Sequence, residues 1–504
     1  MENPLPESPR KTYRWREYAI RAARGAWTLA VICGTLVALA FPRQSAVASG
    51  MYIPGQTLTD PADTTNDNFG FATVMSADGN TLIASGRLFS TGAGVVYLYT
   101  RSNGSFPPTP TQTLTDPGTN PGQDGFGGAV ALSGDGTLLL VGAAGTATGG
   151  VAYLYVKANG SFPALPTQTF TDPANTLDDQ FGKAISVSGN GSTLIIGAPG
   201  TNSRRGAVYS YTASSSALPR GSRKASGLPG RATVYDPTTG QTVHDPADTP
   251  GDVFGDLLAG ASDVNVIGVG DRTVFIRAGG TSGHPGKIYL LTVPNGGLPD
   301  VTDITPFFDA HSLSTCFQGT NMAASNTGDT LLVGSPTSSG FKGLAFVSAL
   351  VNGRYTVVKT LTNPGTSGDQ FGYAAATSAD GNTLLIGTRA TSSQPGAAYL
   401  YVKVNGSFPD SPTQTFADPA HTNFDFFGIA VAMSGDGATL AIGASNTNSG
   451  KGAVYSYLLL PPPTPQPPRH VDGTPTNSPV LPLPTPHPAV SPVSGTIAPQ
   501  PVRH

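Results

Sequence analysis

The sequence predicts an all-β protein, a seven-bladed β-propeller of four-stranded blades whose ring is closed by its N-terminal strand. Three observations carry this. A Phe-Gly pair recurs along the chain, each copy is followed by the same order of strand-like segments, and one spare strand-like segment precedes the first copy.

The Phe-Gly pairs are Phe69-Gly70, Phe126-Gly127, Phe181-Gly182, Phe254-Gly255, Phe371-Gly372 and Phe427-Gly428, with a degraded copy at Phe317-Gln318-Gly319. The seven anchors are 57, 55, 73, 63, 54 and 56 residues apart. The second copy shows the unit clearly. Residues 128–133 are small and apolar, a first strand. Gly134-Asp135-Gly136 is a tight turn, since Asp-Gly accepts the positive φ that hairpins require. Residues 137–142 form an apolar second strand. Residues 151–156, with Tyr153 and Tyr155 alternating, form the third, and 167–172 the fourth. No segment after residue 48 keeps a helical period. Four-strand units with a period near 56 residues point to a propeller.

Closure is read from the fourth strand. Gln-Thr-Leu-Thr-Asp-Pro stands at 56–61, before the first Phe-Gly, and again at 112–117, with altered copies starting at Gln168, Gln241 and Gln414. The seventh unit reaches its third strand at 453–458 and then runs into prolines. Residues 56–60 are therefore expected to complete blade 7, removing an exposed sheet edge.

Composition agrees with a turn-rich β protein. The chain has 64 Gly, 45 Pro, 38% hydrophobic and only 12% charged residues. Residues 1–48 read as a signal peptide or signal anchor. Arg10, Lys11, Arg14, Arg16, Arg21 and Arg24 lead an apolar run over 25–41, and Ala46-Val47-Ala48 is a small-x-small cleavage pattern. Beyond them lie 21 basic and 28 acidic residues, a formal charge of −7, and every acid is aspartate. The mild acidity and lack of basic clusters argue against nucleic acid. Only Cys316 remains, so no intrachain disulfide is expected. The propeller is placed at 49–460. Residues 461–504, with 15 Pro, are expected to be an extended, disordered tail. The chain is expected to be secreted or at the cell surface, monomeric, and in contact with a membrane only through an uncleaved N-terminal anchor.

The repeat resembles the FG-GAP family, which includes the propeller of integrin α chains. The resemblance is carried by Phe181-Gly182, then Ile195-Ile196-Gly197-Ala198-Pro199, then Gly206-Ala207-Val208-Tyr209, with variants at Gly142-Ala143-Ala144, Gly334-Ser335-Pro336 and Gly443-Ala444-Ser445. It spans about 56–458 and is nearest to bacterial secreted relatives with short turns. It implies an adhesion or binding propeller, and in many blades of the family a calcium loop between the first two strands. Here that loop is Ser-x-Asp-Gly, as at 76–79, 133–136, 378–381 and 434–437. One carboxylate cannot supply the six to eight oxygens that calcium takes. No cofactor is therefore expected, and the short turns do not support Ca²⁺.

A second acidic set is regular. Asp67, Asp124, Asp179, Asp252, Asp369 and Asp425 each precede a Phe by two residues, Thr315 takes the place in the fifth unit, and Asp63, Asp178 and Asp248 lie nearby. These are expected to accept backbone N–H bonds in the links between blades. No non-repeating aspartate pair stands out for glycosidase-type chemistry, the seven His are scattered without ligand spacing, and there is no Gly-x-Ser-x-Gly elbow. No catalytic or metal-binding residue is therefore assigned. The loops joining second and third strands offer a binding face made of residues unlike from blade to blade: Arg87 and Phe89, Arg204 and Arg205, His284, Phe341 and Lys342, Arg389, and Lys451. The insertion at 213–240 is expected to be a hairpin extension on the opposite face. The expected function is a surface binding or adhesion module for a protein or glycan. The alternative is a secreted hydrolase or lyase with a site in the central pore.

Overall fold

A computed structural model of the chain describes residues 50–460 apart from 64, 88–93, 119–123, 146–148, 175, 214–234, 236–239, 248–252, 261–271, 279–286, 294–299, 305–321, 366–367, 390–394 and 421–422. Residues 1–48, where a signal segment is expected, residues 461–504 and Cys316 lie outside the described residues, as does nearly all of the insertion. Within it Ala213, Tyr235 and Gly240 are placed, the first two bridged as an antiparallel pair.

Seven four-stranded antiparallel sheets make the ring. Blades 1 to 6 are simple meanders over 72–115, 129–171, 184–244, 254–303, 322–362 and 374–417. First strands of neighbouring blades lie against one another, so they surround the axis. Blade 7 takes three strands from 427–459 and its fourth from Tyr52–Thr59. The closing strand is thus longer than the 56–60 read from the repeat. It pairs with Ala453–Leu459 and carries a register shift between Pro54 and Thr57. Tyr52 explains the extra length: its ring is buried and its hydroxyl donates to the Gly437 carbonyl.

The core lies between blades. Leu140 and Leu154 of blade 2 pack with Ile185, Ile196 and Tyr209 of blade 3, and Leu58, Ala441 and Val454 of blade 7 with Leu82 and Tyr97 of blade 1. Within each of six blades the Phe of Phe-Gly meets the first tyrosine of the third strand. Phe69–Tyr97, Phe181–Tyr209 and Phe254–Tyr289, for example, have ring centroids 5.5, 5.4 and 5.3 Å apart.

The conserved-looking glycines of the repeat are contact glycines. A Cβ on second-strand Gly142 would stand 2.1 Å from the Gly182 carbonyl oxygen, and one on Gly443 would stand 2.2 Å from that of Gly70. In blades 2, 3, 5 and 7 the glycine opening the third strand bridges the next Phe in parallel, as in Gly150–Phe181, Gly206–Phe254 and Gly452–Phe69. All three motifs of the repeat therefore meet at one place, the junction between consecutive blades.

Two further devices join the blades. Around the turns between first and second strands, backbone N–H groups donate in one rotational sense. Ala77 donates to Gly134, Gly134 to Gly189, Asn326 to Ala379, Ala379 to Gly435 and Gly435 back to Ala77, at 2.7–2.9 Å. At the rim, fourth-strand glutamines clasp the backbone of the next blade. Gln112 Nε2 donates to the Phe162 carbonyl at 2.5 Å and its Oε1 accepts from the Phe162 N–H at 3.0 Å. Gln414 makes the same pair of bonds with Tyr52. Gln112→Ala removes two bonds and is expected to destabilise by about 1–2 kcal/mol in urea unfolding, with the m-value unchanged.

Candidate functional site at the loop face

The loops between second and third strands share a face with the links between blades. In blades 3, 5 and 7 they contain short turns, Thr201–Arg204, Ser338–Phe341 and Thr447–Gly450, that wind left-handed. Asn202, Ser203 and Arg204 have φ of 53°, 59° and 66°; Ser339, Gly340 and Phe341 have 55°, 70° and 67°; Asn448, Ser449 and Gly450 have 52°, 63° and 80°. Each non-glycine residue held there costs about 1–2 kcal/mol. The turns are anchored from below. Thr201 Oγ1 donates to Asp179 Oδ2 at 3.0 Å, Thr447 Oγ1 to Asp425 Oδ2 at 3.4 Å, and Ser338 and Ser335 hydroxyls are bonded at 2.6 Å. The Gly206, Gly343 and Gly452 N–H groups then close the turns onto the Thr201, Ser338 and Thr447 carbonyls.

This scaffold holds five of the residues singled out in the sequence, Arg204, Arg205, Phe341, Lys342 and Lys451. They are not all unlike, as expected from the loops alone. Arg205, Lys342 and Lys451 occupy one equivalent position, the residue before the glycine that opens the third strand. The differing position is the one before it, which holds Arg204, Phe341 and Gly450. Phe341 is 53% exposed. Lys451 pairs with Asp63 Oδ1 at 2.6 Å on the surface, and Arg205 Nη1 donates to the Asn202 carbonyl at 3.3 Å. In blade 3 a cleft of about 640 Å³ opens between the incoming link and the turn, lined by Leu177, Asp178, Gln180, Asn202 and Arg204. Arg389 is not a free cation. Its guanidinium stacks between the rings of Tyr373 and Phe426, 5.5 and 4.8 Å from their centroids. Arg87 ends the second strand of blade 1. Phe89 and His284 lie outside the described residues.

Beneath the face, the aspartates before Phe-Gly do more than accept backbone bonds. Asp124 and Asp425 do accept the Phe126 and Phe427 N–H groups, at 3.3 and 3.0 Å. Each also pairs with the aspartate of the preceding Asp-Pro. The carboxyl of Asp67 stands beside that of Asp60, Asp124 beside Asp116, Asp179 beside Asp172 and Asp425 beside Asp418, and each pair is close enough for one charge to oppose the other. Burial is nearly complete in places: Asp60 and Asp67 are 6% and 1% exposed, Asp418 and Asp425 0% and 1%. Burial, reinforced by the neighbouring carboxylate, pushes Asp67 and Asp425 up to about 7, Asp124 up to about 6, and Asp172 upward. The Asp-Pro members went unrecognised in the sequence, although their spacing of seven or eight residues from the second aspartate was visible. Among the described residues, no group of three or more His, Cys, Asp or Glu could hold a metal ion.

Blade 4 breaks the pattern. At the second-strand position that is Gly142, Gly197, Gly387 and Gly443 elsewhere, it carries buried Arg277. Arg277 Nε donates to Asp256 Oδ1 at 2.9 Å and Nη2 to Oδ2 at 2.5 Å, a two-pronged ion pair within the blade. It faces blade 5, whose own Phe-Gly is the degraded Phe317-Gln318-Gly319.

No family model matches the chain, and no curated protein matches it. Hydrazine synthase of Kuenenia stuttgartiensis is one similar solved structure. It is 13% identical, with a TM-score of 0.45, and the match covers 80% of this chain and 98% of that one. Similarity at that level carries no inference about what this chain does.

Proposed function

We propose that the chain is an extracellular or cell-surface binding module that holds a protein or glycan through the loop face of its propeller, and that its repeats are of the FG-GAP kind. One observation carries the reading. At the same left-handed position where blade 7 has Gly450, blades 3 and 5 keep Arg204 and an exposed Phe341. Glycine would remove that strain, so the two side chains stand at a stability cost that contacts among the described residues do not explain. An aromatic ring and a guanidinium on rigid turns are typical anchors of recognition surfaces. The junction position of the Phe-Gly, Gly-Ala-Pro and Gly-x-Val-Tyr motifs supports the repeat assignment.

The test exposes the full chain to glycan and surface-protein arrays beside a broad hydrolase and lyase panel. The Arg204→Gly, Phe341→Gly double variant is expected to bind the recovered partner at least tenfold more weakly. It should melt no lower than the parent, since relief of about 1–2 kcal/mol at each site offsets the flexibility of glycine. Turnover without any bound partner would favour a hydrolase or lyase instead.

A further inference from the structure

The paired aspartates form a set that binding at the loop face does not require. Four described junctions set two carboxyl groups side by side: Asp60 with Asp67, Asp172 with Asp179 and Asp418 with Asp425, all buried, and half-buried Asp116 with buried Asp124, where Asp116 Oδ1 and Asp124 Oδ2 each lie 3.0 Å from where a Cβ on Gly118 would stand. Two carboxylates cannot hydrogen-bond to each other unless one is protonated and donates. The titratable groups facing them from the adjoining third strands are tyrosines. These are Tyr97 and Tyr99, Tyr153 and Tyr155, Tyr209 and Tyr211, and Tyr455 and Tyr457. Burial raises every one of these phenols, so they stay neutral and supply no positive charge. The ion pair of Lys451 with Asp63, in the link that carries Asp60 and Asp67, is exposed at the surface. Blade 6 varies the theme. There Asn363 replaces the Asp-Pro aspartate, and Asn363 Oδ1, Asp369 Oδ2 and the Tyr399 hydroxyl converge on Gly365, 3.2, 2.6 and 2.7 Å from where a Cβ would stand. An amide there leaves one carboxyl group and no proton to be shared.

We propose that these junctions are proton-held clasps, which make the ring tightest in an acidic medium and loosen it as the medium turns neutral and then alkaline. The sign follows from the electrostatics. One carboxyl of each pair titrates above its unfolded value: Asp67 and Asp425 at about 7, Asp124 at about 6, and Asp172 upward. Their stabilisation is therefore complete below the unfolded value, near 4, and is lost as pH rises through about 6 to 7. This is opposite to the usual salt-bridged aspartate, whose contribution is lost in acid.

The experiment follows thermal unfolding of the full chain between about pH 5 and pH 8, beside a variant combining Asp60→Asn, Asp116→Asn, Asp172→Asn and Asp418→Asn, which copies the blade 6 arrangement. The parent should lose several degrees of Tm across that range, and the variant less than half as much. If the fourfold variant does not fold, Asp418→Asn alone should flatten the profile in part. Infrared spectra of the folded parent should also show a protonated carboxyl band near pH 5.5 that fades by about pH 8 and is weaker in the variant. Parallel profiles in parent and variant would overturn the proposal, as would a parent that gains stability with rising pH. So would saturable rescue of the parent at about pH 8 by calcium or magnesium, because the carboxylates would then be holding a cation.

Discussion

Deleting residues 51–61 is expected to abolish the cooperative thermal transition of the propeller. The closing strand keeps six residues in register with the third strand of blade 7 and buries Tyr52 and Leu58, 2% and 0% exposed. Gln414 adds two bonds from blade 6 to the Tyr52 backbone. At about 1 kcal/mol per hydrogen bond and about 1.5–3 kcal/mol per buried side chain, the strand contributes on the order of 10 kcal/mol before chain entropy. That matches the whole net stability of an ordinary domain, about 5–15 kcal/mol. Calorimetry of the parent and the deleted chain checks this. An unchanged melt would show that blade 7 closes without the strand.

A single methyl group at a junction should be nearly as damaging. Gly443→Ala places a Cβ 2.2 Å from the Gly70 carbonyl oxygen and 3.2 Å from its carbon, a backbone contact with no flexible end to yield. In a closed ring, blade 7 cannot retreat from blade 1 without moving toward blade 6. There Gly387 already lies in the same relation to Gly428, at 2.0 Å. The expected cost is about 3 kcal/mol or more, read as a fall in the urea midpoint. Gly104→Ala is the control, because a Cβ there meets nothing within 4 Å and only its φ of 83° opposes it. It should cost about 1 kcal/mol.

The fold was legible because each repeated residue answers one fixed geometric demand. Only glycine permits the approach of Gly142 to Gly182, and the Asp135-Gly136 turn joins the short strands Ala129–Leu132 and Leu138–Ala143. The third strand of the second unit, Val151–Val156, stands where its alternating tyrosines put it. What was missed depends on how the chain travels between repeats. The repeated Gln-Thr-Leu-Thr-Asp-Pro motif begins at Gln56, so the closing strand was begun there, whereas the shift in register lets it start at Tyr52. The Asp-Pro aspartate reads as the end of a strand, and its pairing with Asp67 or Asp425 arises only when the link folds back over the third-strand tyrosine. The loop residues were found by their variability, yet a fixed basic position and a variable one are distinguished only once the left-handed turns align them. Arg277 hides for a similar reason, since an arginine in an apolar strand does not announce that it stands at a contact glycine's position.

The one-way run of backbone bonds around the first turns has a consequence for assembly. Among the described turns each bond runs the same way, from Ala77 to Gly134, Gly134 to Gly189, Asn326 to Ala379, Ala379 to Gly435 and Gly435 back to Ala77, so a blade such as the first offers a donor on one flank and an acceptor on the other. The contact between blades is heterologous, and it ends only because the ring returns to its start. A chain whose ring is opened, by losing its closing strand or by cleavage between blades, exposes two unlike flanks that complement each other across molecules. Such chains should join head to tail into open-ended filaments or exchange blades into larger rings, and symmetric dimers should be rare among the products.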